Sequence, residues 1–235
     1  MRRSGLAWFA VVAITIVVSG CSRREGTKPA SEESAARAGA VGTGGAGANV
    51  KEDNDFVRDV ALKNMAEIEL SRMALDKAAS PQVKAFAQMM IEAHGAAGEK
   101  LKNLVSAQPI EWPAELDDQH REAAAELGRK QGVDFDRDYI KAMVEGHENF
   151  AAKLESRLDL QSVADWKTAA AGRTHDRAMP EPKGALHDVQ VRPDKSDREI
   201  TTKINQWAAE TYPVAQKHLD SARTLENIAK KRSTN

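Results

Sequence analysis

Residues 80–94 read Ser-Pro-Gln-Val-Lys-Ala-Phe-Ala-Gln-Met-Met-Ile-Glu-Ala-His, and this stretch decides the fold class. A serine followed by a proline is a common helix start, with the serine as N-cap and the proline in the first turn. Apolar residues then recur every three or four positions and share one helix face: Val83, Phe86, Ala87 and Met90. Because His94 falls on the same face, the stretch predicts an amphipathic helix that buries an imidazole.

The same pattern occurs on two other segments. After Asp134, a histidine at position 147 lies in line with an apolar stripe made of Phe135, Tyr139, Met143, Phe150 and Leu154. Near the C-terminus, His218 lies at the centre of a stripe made of Ile200, Ile204, Trp207, Ala222 and Leu225. A buried histidine needs polar partners. We therefore expect His94, His147 and His218 to converge inside the fold.

Periodicity along the chain predicts four long helices and a short one. The long helices are expected over 53–79, 81–107, 134–159 and 197–231, and the short one over 116–130 with Gly132 as its C-cap. Strand-like alternation is absent from the sequence. We predict an all-α up-and-down four-helix bundle with an additional short helix, covering residues 53–235.

One stretch between the last two long helices lacks helical periodicity. Residues 168–196 contain two glycines and three prolines, and this composition favours a long surface excursion. His175 and His187 fall in it, and we interpret both as exposed loop histidines.

The N-terminal residues predict export and a lipid anchor. Arg2 and Arg3 precede an apolar stretch over 6–18, which is too short for a typical membrane-spanning helix. The stretch ends in Val18-Ser19-Gly20-Cys21, which resembles a bacterial lipoprotein signal. The resemblance implies that residues 1–20 are a signal peptide and that Cys21 is lipidated. The alternative is an ordinary cleaved signal peptide in which the cysteine is coincidental.

The residue after the cysteine and the overall composition indicate where the protein is located and which class of partner is disfavoured. Ser22 follows the cysteine in place of Asp, which favours a lipid-anchored position in the outer membrane of the bacterial cell envelope, facing the periplasm. Residues 21–52 are rich in Gly, Ala and Ser and predict a flexible tether.

Cys21 is the only cysteine, so no internal disulfide can form. The net charge of −1 with interspersed acids and bases does not favour nucleic acid as a partner, and the sequence identifies no protein partner.

Helix lengths predict that a carboxylate lies at the height of the first imidazole. Glu67 precedes Ser80 by thirteen residues, and His94 follows Pro81 by thirteen. At 1.5 Å per residue, both lie ~20 Å from the turn on antiparallel helices. Glu67, His94, His147 and His218 are therefore the predicted members of a polar centre that is a candidate metal site.

Three further residues are second candidates for the same site. Asp136 shares a face with His147, while Met90 and Met143 each precede a stripe histidine by four residues. Imidazole with thioether is compatible with copper, and imidazole with carboxylate suits zinc or iron. Methionine is also a common core filler, and this is the more frequent role of such residues.

Two interpretations of the histidines remain open at the level of sequence. They are either metal ligands or members of a buried hydrogen-bonded network, for instance His94 with Glu67 and His147 with Asp136 or Tyr139. His120 also lies on an apolar stripe, but its helix is short and polar, so we rank it below the other three.

Several motifs together resemble the DUF4142 family of exported bacterial proteins of unknown function, whose members are often labelled outer-membrane proteins and have a ferritin-like four-helix fold. The matching residues are Ala66-Glu67-Ile68-Glu69-Leu70 with Ala74, Val83-Lys84-Ala85-Phe86-Ala87-Gln88-Met89-Met90 with His94, Phe135-Asp136 with Tyr139, Met143-Val144 with His147, and Pro213 with His218-Leu219. The resemblance spans about 55–225. It departs at Ala93, where the family commonly has an acid, and in the length of the excursion. It implies a fold and an exported location but no established activity.

The sequence favours a binding or structural protein over an enzyme. A ferritin-like di-iron site uses Glu-x-x-His on two helices, whereas the residues three before the stripe histidines are Ile91, Val144 and Ala215. A nucleophile elbow, a phosphate-binding loop and a His-Glu-x-x-His motif are also absent from the sequence. The leading hypothesis is an envelope lipoprotein whose polar centre binds a transition metal. The alternative is an envelope interaction or stress protein in which the polar centre is purely structural.

Overall fold

Six α-helices follow one another along the residues that the computed structural model describes, 44–175 and 189–233. They are α1 (Gly44–Lys77), α2 (Pro81–Val105), α3 (Asp118–Gly128), α4 (Gly132–Glu155), α5 (Leu160–His175) and α6 (Glu199–Ser233). Within these ranges the only extended pairings are two isolated bridges, Ala78 with Gly132 and Leu158 with Pro193. The prediction of an all-α fold is confirmed.

Several predictions lie outside the described residues. These are the signal peptide over 1–20, the lipidated Cys21, residues 21–43 of the predicted tether, and the part of the excursion that contains His187. Among the helices that are described, none combines the length and the apolar character that a membrane span requires.

The four long helices contact one another in a ring. Helix α1 packs on α2 and α4, and α6 packs on the same two helices from the other side. Neighbours in the ring are antiparallel, as the α1–α4 pair illustrates. Asp59 in α1 pairs with Lys153 near the end of α4, whereas Ser71, farther along α1, contacts Tyr139 near the start of α4.

The path between α2 and α4 differs from the up-and-down order expected from the sequence. Both helices are antiparallel to α1, so they run in the same direction at opposite corners of the ring. Residues 106–131, which include α3, return the chain along the length of the bundle before α4 begins. Leu127 of α3 packs in one apolar cluster with Phe86 and Phe135 near the starts of α2 and α4, and its burial holds this crossover in place.

Buried apolar side chains form two clusters, one in each half of the bundle. The first includes Phe56, Val60, Leu101, Leu154, Ile204 and Trp207. The second includes Ala74, Phe86, Met90, Tyr139, Met143 and Ala222. Burying each large apolar side chain contributes roughly 1.5–3 kcal/mol to stability. Between the two clusters, each long helix contributes one buried carboxylate or imidazole, and together these four side chains form a polar layer: Glu67, His94, His147 and His218.

Helix α1 starts earlier than predicted, at Gly44 instead of Asp53. Asp53, the first residue of the predicted helix, does not cap it, because its carboxylate is buried and pairs with Arg157 (2.7 Å) and Arg198 (2.9 Å). The helix therefore does not begin at this point but extends toward the N-terminus through residues 44–52 of the predicted tether. An ion pair one turn apart, Lys51 with Asp55, supports the extension.

The connections on either side of α4 also differ from the prediction. Gly132 is not the C-cap of the short helix, because α3 ends at Gly128 and Gly132 is the first residue of α4. Its φ of +61° explains the need for glycine at this position. The fourth helix ends at Glu155, four residues earlier than expected.

Part of the predicted excursion is a helix. Asp159, which we expected to end α4, instead starts α5, and its carboxylate accepts a hydrogen bond from the backbone N–H of Ser162 at 2.8 Å. Helix α5 continues through Thr168 to His175, so the irregular stretch is shorter than 168–196. Its described end is also anchored, because Arg192 and Asp194 exchange backbone hydrogen bonds with residues 157–159.

Candidate metal centre

The polar layer brings together one side chain from each long helix: Glu67 of α1, His94 of α2, His147 of α4 and His218 of α6. The four residues are 5%, 4%, 0% and 7% exposed, respectively. The structure thus places all four predicted site residues at one height in the bundle. Glu67 lies beside His94, as their equal distances from the turn at Ser80 predicted.

The three imidazoles form a nearly equilateral triangle. Their ring centroids are 5.3 Å (His94–His147), 5.6 Å (His94–His218) and 5.5 Å (His147–His218) apart. One ring nitrogen from each histidine lies within 4.8 Å of the other two. The closest pair is Nε2 of His94 and Nε2 of His147, at 3.3 Å. The ring nitrogens therefore converge on one small volume.

Asn64 fixes the tautomer of His94. The Asn64 amide N–H donates to the backbone carbonyl of His94, and the Asn64 Oδ1 lies 2.6 Å from His94 Nδ1. Since a carbonyl can only accept, the amide must present its NH₂ group to the backbone and its oxygen to the ring. His94 Nδ1 must then carry the hydrogen. In the neutral ring, the lone pair is on Nε2, which points into the centre.

The backbone of α4 fixes the tautomer of His147 in the same way. His147 Nδ1 lies 2.9 Å from the carbonyl oxygen of Met143, one turn earlier in the helix. The ring must donate to this acceptor, so Nδ1 carries the hydrogen and Nε2 carries the lone pair. Metal-binding histidines commonly have this arrangement, in which the second ring nitrogen donates to a carbonyl or carboxylate.

His218 supplies a nitrogen that has no partner. Its Nδ1 is buried, and no hydrogen-bonding group in the described part of the chain satisfies it. An unsatisfied buried polar atom costs about 1–3 kcal/mol. Buried polar atoms without a hydrogen-bond partner are rare in natural folds, and binding of a ligand to the atom is one explanation for them.

Glu67 lies against two of the imidazoles. Its Oε2 is 2.9 Å from His94 Nε2, and its Oε1 is 3.6 Å from His147 Nδ1. The first contact is short, but Oε2 is buried and has the geometry of a hydrogen bond with no group in the described part of the chain. The negatively charged carboxylate therefore lies in the centre, and its Oε2 is free to bind a cation.

The electrostatics favour an anionic Glu67 carboxylate and neutral imidazoles at His147 and His218. Burial lowers the pKa of His147, and it lowers the pKa of His218 to about 4, with the neighbouring imidazoles contributing to both shifts. Burial alone would raise the pKa of Glu67, but the attraction of His94 and His147 outweighs it and the pKa lies below its ordinary value. Near neutral pH, Glu67, His147 and His218 are thus in the protonation states that metal ligands require.

The donor set fits a transition-metal ion. Three imidazole nitrogens and one carboxylate are ligands that zinc and similar divalent ions accept. A tetrahedral ion with ligands at about 2.1 Å separates them by about 3.4 Å, and the Nε2 atoms of His94 and His147 are 3.3 Å apart. The three histidines have nitrogens close enough to one another to hold one ion, and Glu67, whose Oε2 lies 2.9 Å from His94 Nε2, would add the carboxylate.

The second candidates have other roles in the structure. The Asp136 carboxylate accepts backbone hydrogen bonds from Ala79 (3.0 Å) and Ser80 (2.9 Å), so it secures the turn between α1 and α2. Met90 and Met143 are fully buried in the second apolar cluster. His120, ranked lower, pairs with Asp117 at the start of α3, where the Asp117 side chain caps the helix.

Sequence reasoning missed Asn64. This residue is 5% exposed and lies three positions before Glu67, hence on the same face of α1. A polar residue one turn from a buried acid was the signal that would have identified it. The role of the Met143 carbonyl is not visible in any sequence, because every helical residue has one.

Comparison with known proteins identifies the family of this chain. No curated protein and no solved structure gives a significant match. A family profile described as "Domain of unknown function (DUF4142)" matches residues 38–177, a range that includes Glu67, His94 and His147 but ends before His218. The match covers more than half of the sequence and agrees with the resemblance that the motifs indicate. The chain belongs to the DUF4142 family.

Proposed function

We propose that this protein is a lipoprotein of the bacterial cell envelope whose helical domain binds one transition-metal ion through Glu67, His94, His147 and His218. The convergence of three imidazole nitrogens within 4.8 Å in the core is the observation that carries this proposal.

The tautomers of two histidines provide the strongest physical argument. Asn64 and the Met143 carbonyl hold the hydrogens of His94 and His147 on Nδ1. Their Nε2 lone pairs then oppose each other at 3.3 Å, and a carboxylate oxygen lies 2.9 Å from one of them. Facing lone pairs in a buried site repel each other, and a cation placed between them converts this repulsion into attraction.

The ligand types favour zinc or another borderline divalent ion. Imidazole and carboxylate suit zinc, iron and copper(II), whereas copper(I) prefers thioethers and thiolates. Met90 and Met143 lie in the apolar cluster, and the chain has a single cysteine, which is far from the centre in sequence. Four protein ligands also complete a tetrahedral shell, a feature of zinc sites that hold the ion firmly. A metal-holding role is therefore favoured over catalysis at an open position.

The fold and the location form the second part of the proposal. Helices α2 and α4 run in parallel and are joined by the long connection 106–131, and a single long crossover of this kind is characteristic of ferritin-like bundles. The lipoprotein-like signal ending at Cys21 supports an anchor in the outer membrane, with the helical domain facing the periplasm.

A structural network is the competing function. The hydrogen bonds of Asn64 to His94 and of His147 to Met143 exist without an ion, and a proton shared between the two Nε2 atoms would also relieve their repulsion. This alternative requires a domain that folds cooperatively and gains no stability from metal.

Elemental analysis tests the proposal directly. The untagged full chain is purified from cells and, in separate samples, reloaded with zinc, copper, iron or manganese. We expect close to one ion per chain, and loss of that ion when His94 and His147 are both replaced by Gln. His120→Gln is the matched control, because this histidine pairs with Asp117 outside the centre. A chain that remains metal-free after every reload would refute the proposal and support the structural network.

A further inference from the structure

Two glycines lie directly against Asn64 and Glu67, the two polar side chains of α1 that point into the centre. Gly98 is one helical turn after His94 in α2, and Gly146 immediately precedes His147 in α4. Each leaves space at a position where any other residue would place a Cβ atom. The residues that occupy this space are Asn64 and Glu67, which lie one turn apart on α1.

Gly98 makes room for the Asn64 amide. A Cβ atom at position 98 would lie 2.5 Å from the Asn64 Nδ2 and 3.7 Å from its Cγ. The first distance is far inside the van der Waals contact distance, so the amide would have to move. It would lose the hydrogen bond to the His94 carbonyl that orients it, and with it the contact between Oδ1 and His94 Nδ1.

Gly146 makes room for the Glu67 carboxylate. A Cβ atom at this position would lie 2.9 Å from Glu67 Oε1 and 3.8 Å from its Cδ. The opposite oxygen, Oε2, is the one that lies 2.9 Å from His94 Nε2. A methyl group at position 146 would therefore push the carboxylate away from its present position between the imidazoles.

A third glycine in the same region has no such neighbour. Gly95 follows His94 directly, yet a Cβ atom there would meet nothing within 4 Å. Glycine in a helix interior is less favourable than alanine. The glycines at 98 and 146 differ from the one at 95 because each faces a polar side chain of the centre. At both positions the clashing atom is the end of a flexible side chain, so substitution displaces that side chain and not the helix.

We infer that Gly98 and Asn64 form a positioning pair that sets the ring orientation and tautomer of His94, and that Gly146 sets the position of Glu67. The inference rests on the proposed metal-binding function and adds the residues that prepare its ligands. Without the Asn64 contact, His94 is free to carry its hydrogen on Nε2, and that tautomer cannot bind an ion through the nitrogen that faces the centre. Partners of ligating histidines typically affect metal affinity 10- to 100-fold.

Zinc affinity in glycine variants is the first measurement. Full-length Gly98→Ala, Gly146→Ala and the control Gly95→Ala are titrated with zinc against a chromophoric chelator. We expect about 10- to 100-fold weaker binding for the first two variants and no loss for the control. Cobalt(II) absorption then reports whether the ligand geometry has changed. Equal affinities and equal spectra in all three variants would overturn the inference.

A double-mutant cycle tests whether Gly98 acts through Asn64. In an Asn64→Ala background the amide is absent, and a methyl group at position 98 has nothing to displace. We therefore expect Gly98→Ala to weaken zinc binding in the wild-type chain but to have no further effect in the Asn64→Ala chain. Additive losses would show that the glycine acts by another route and would contradict the pairing.

Nitrogen NMR of the metal-free chain separates this inference from the proposed function. In the wild type we expect the His94 signals of a ring protonated on Nδ1, and in Gly98→Ala a loss of that preference. Gly95→Ala should resemble the wild type. If the wild-type chain bound no zinc, the proposed function would fail, while the NMR result would still decide whether the pair positions His94. An unchanged His94 signal in Gly98→Ala would overturn the inference even if the wild type bound zinc.

Discussion

The carboxylate of Asp136 on α4 binds the backbone N–H of Ser80 at 2.9 Å, at the turn where α1 passes into α2. Its other oxygen accepts from the backbone N–H of Ala79 at 3.0 Å. The Ser80 side chain makes no capping hydrogen bond to α2. A residue on a distant segment thus satisfies the donors of this turn, and the inward orientation expected for Asp136 serves the turn and not the polar layer.

Removing this carboxylate should weaken the fold and leave the metal site intact. We expect Asp136→Ala to lower the free energy of unfolding by about 1–3 kcal/mol, because two backbone donors lose their acceptor. Urea denaturation measures the change, and zinc content should match that of the wild type. Asp134→Ala is the control, since Asp134 is exposed and forms a surface ion pair with Arg137. Loss of zinc in Asp136→Ala with an intact fold would place this residue among the ligands after all.

Replacing the buried methionines should not affect metal binding. Met90 and Met143 fill the second apolar cluster, and leucine has a similar volume. We expect Met90→Leu and Met143→Leu to change the free energy of unfolding by less than about 1.5 kcal/mol, with unchanged zinc and copper content by elemental analysis. Selective loss of copper in either variant would instead assign a thioether to the centre.

Acid should destabilise the metal-free domain through the buried imidazoles. The folded state holds His218 neutral, with a pKa of about 4 against 6.5 for an ordinary histidine. Between these values the unfolded state binds more protons, so the free energy of unfolding falls as the pH is lowered from 6.5 to about 4. The low pKa of His147 acts in the same direction.

A single substitution isolates the His218 contribution to this pH dependence. We expect a shallower fall of stability in His218→Gln, with a difference of at most about 3 kcal/mol at the acid end. Chemical denaturation in a pH series, with a chelator present, measures both curves. Parallel curves for the two chains would contradict the assignment of a depressed pKa to His218.

Asp53 should be among the most sensitive positions outside the polar layer. Its carboxylate is 1% exposed and accepts from Arg157 (2.7 Å), Arg198 (2.9 Å) and the Thr201 hydroxyl (2.7 Å). It therefore joins α1 to the end of α4 and the start of α6. Asp53→Ala should lower the free energy of unfolding by about 3 kcal/mol, because the partly buried Arg157 and Arg198 lose their buried counter-charge.

An exposed acid two residues later provides the control for Asp53. Asp55 pairs with Lys51 on the surface of α1, and Asp55→Ala should leave the denaturation midpoint almost unchanged. Equal effects of the two substitutions would mean that the buried pairing of Asp53 contributes no more than a surface ion pair.

Local periodicity predicted the helices and the side chains that point inward, but not the path of the chain between them. His94 and His147 were identified because a stripe at three- and four-residue spacing has a single buried face. The direction of α4 depends on where the connection 106–131 packs, and this is decided by contacts such as that of Leu127. Helix α5 was missed because its amphipathic pattern is weak and Gly172 interrupts it, although Asp159 carried an N-cap signal.

The position of the polar layer also sets an order of assembly. Glu67 belongs to the first helix and His218 to the last, so the four side chains of the polar layer meet only after α6 has docked on α2 and α4. An ion bound by all four would recognise the finished domain and not its fragments. Binding to the native state alone adds about 2.7 kcal/mol of stability when the free ion exceeds its dissociation constant a hundredfold. The supply of metal around the protein would then determine how long each molecule resists unfolding and proteolysis.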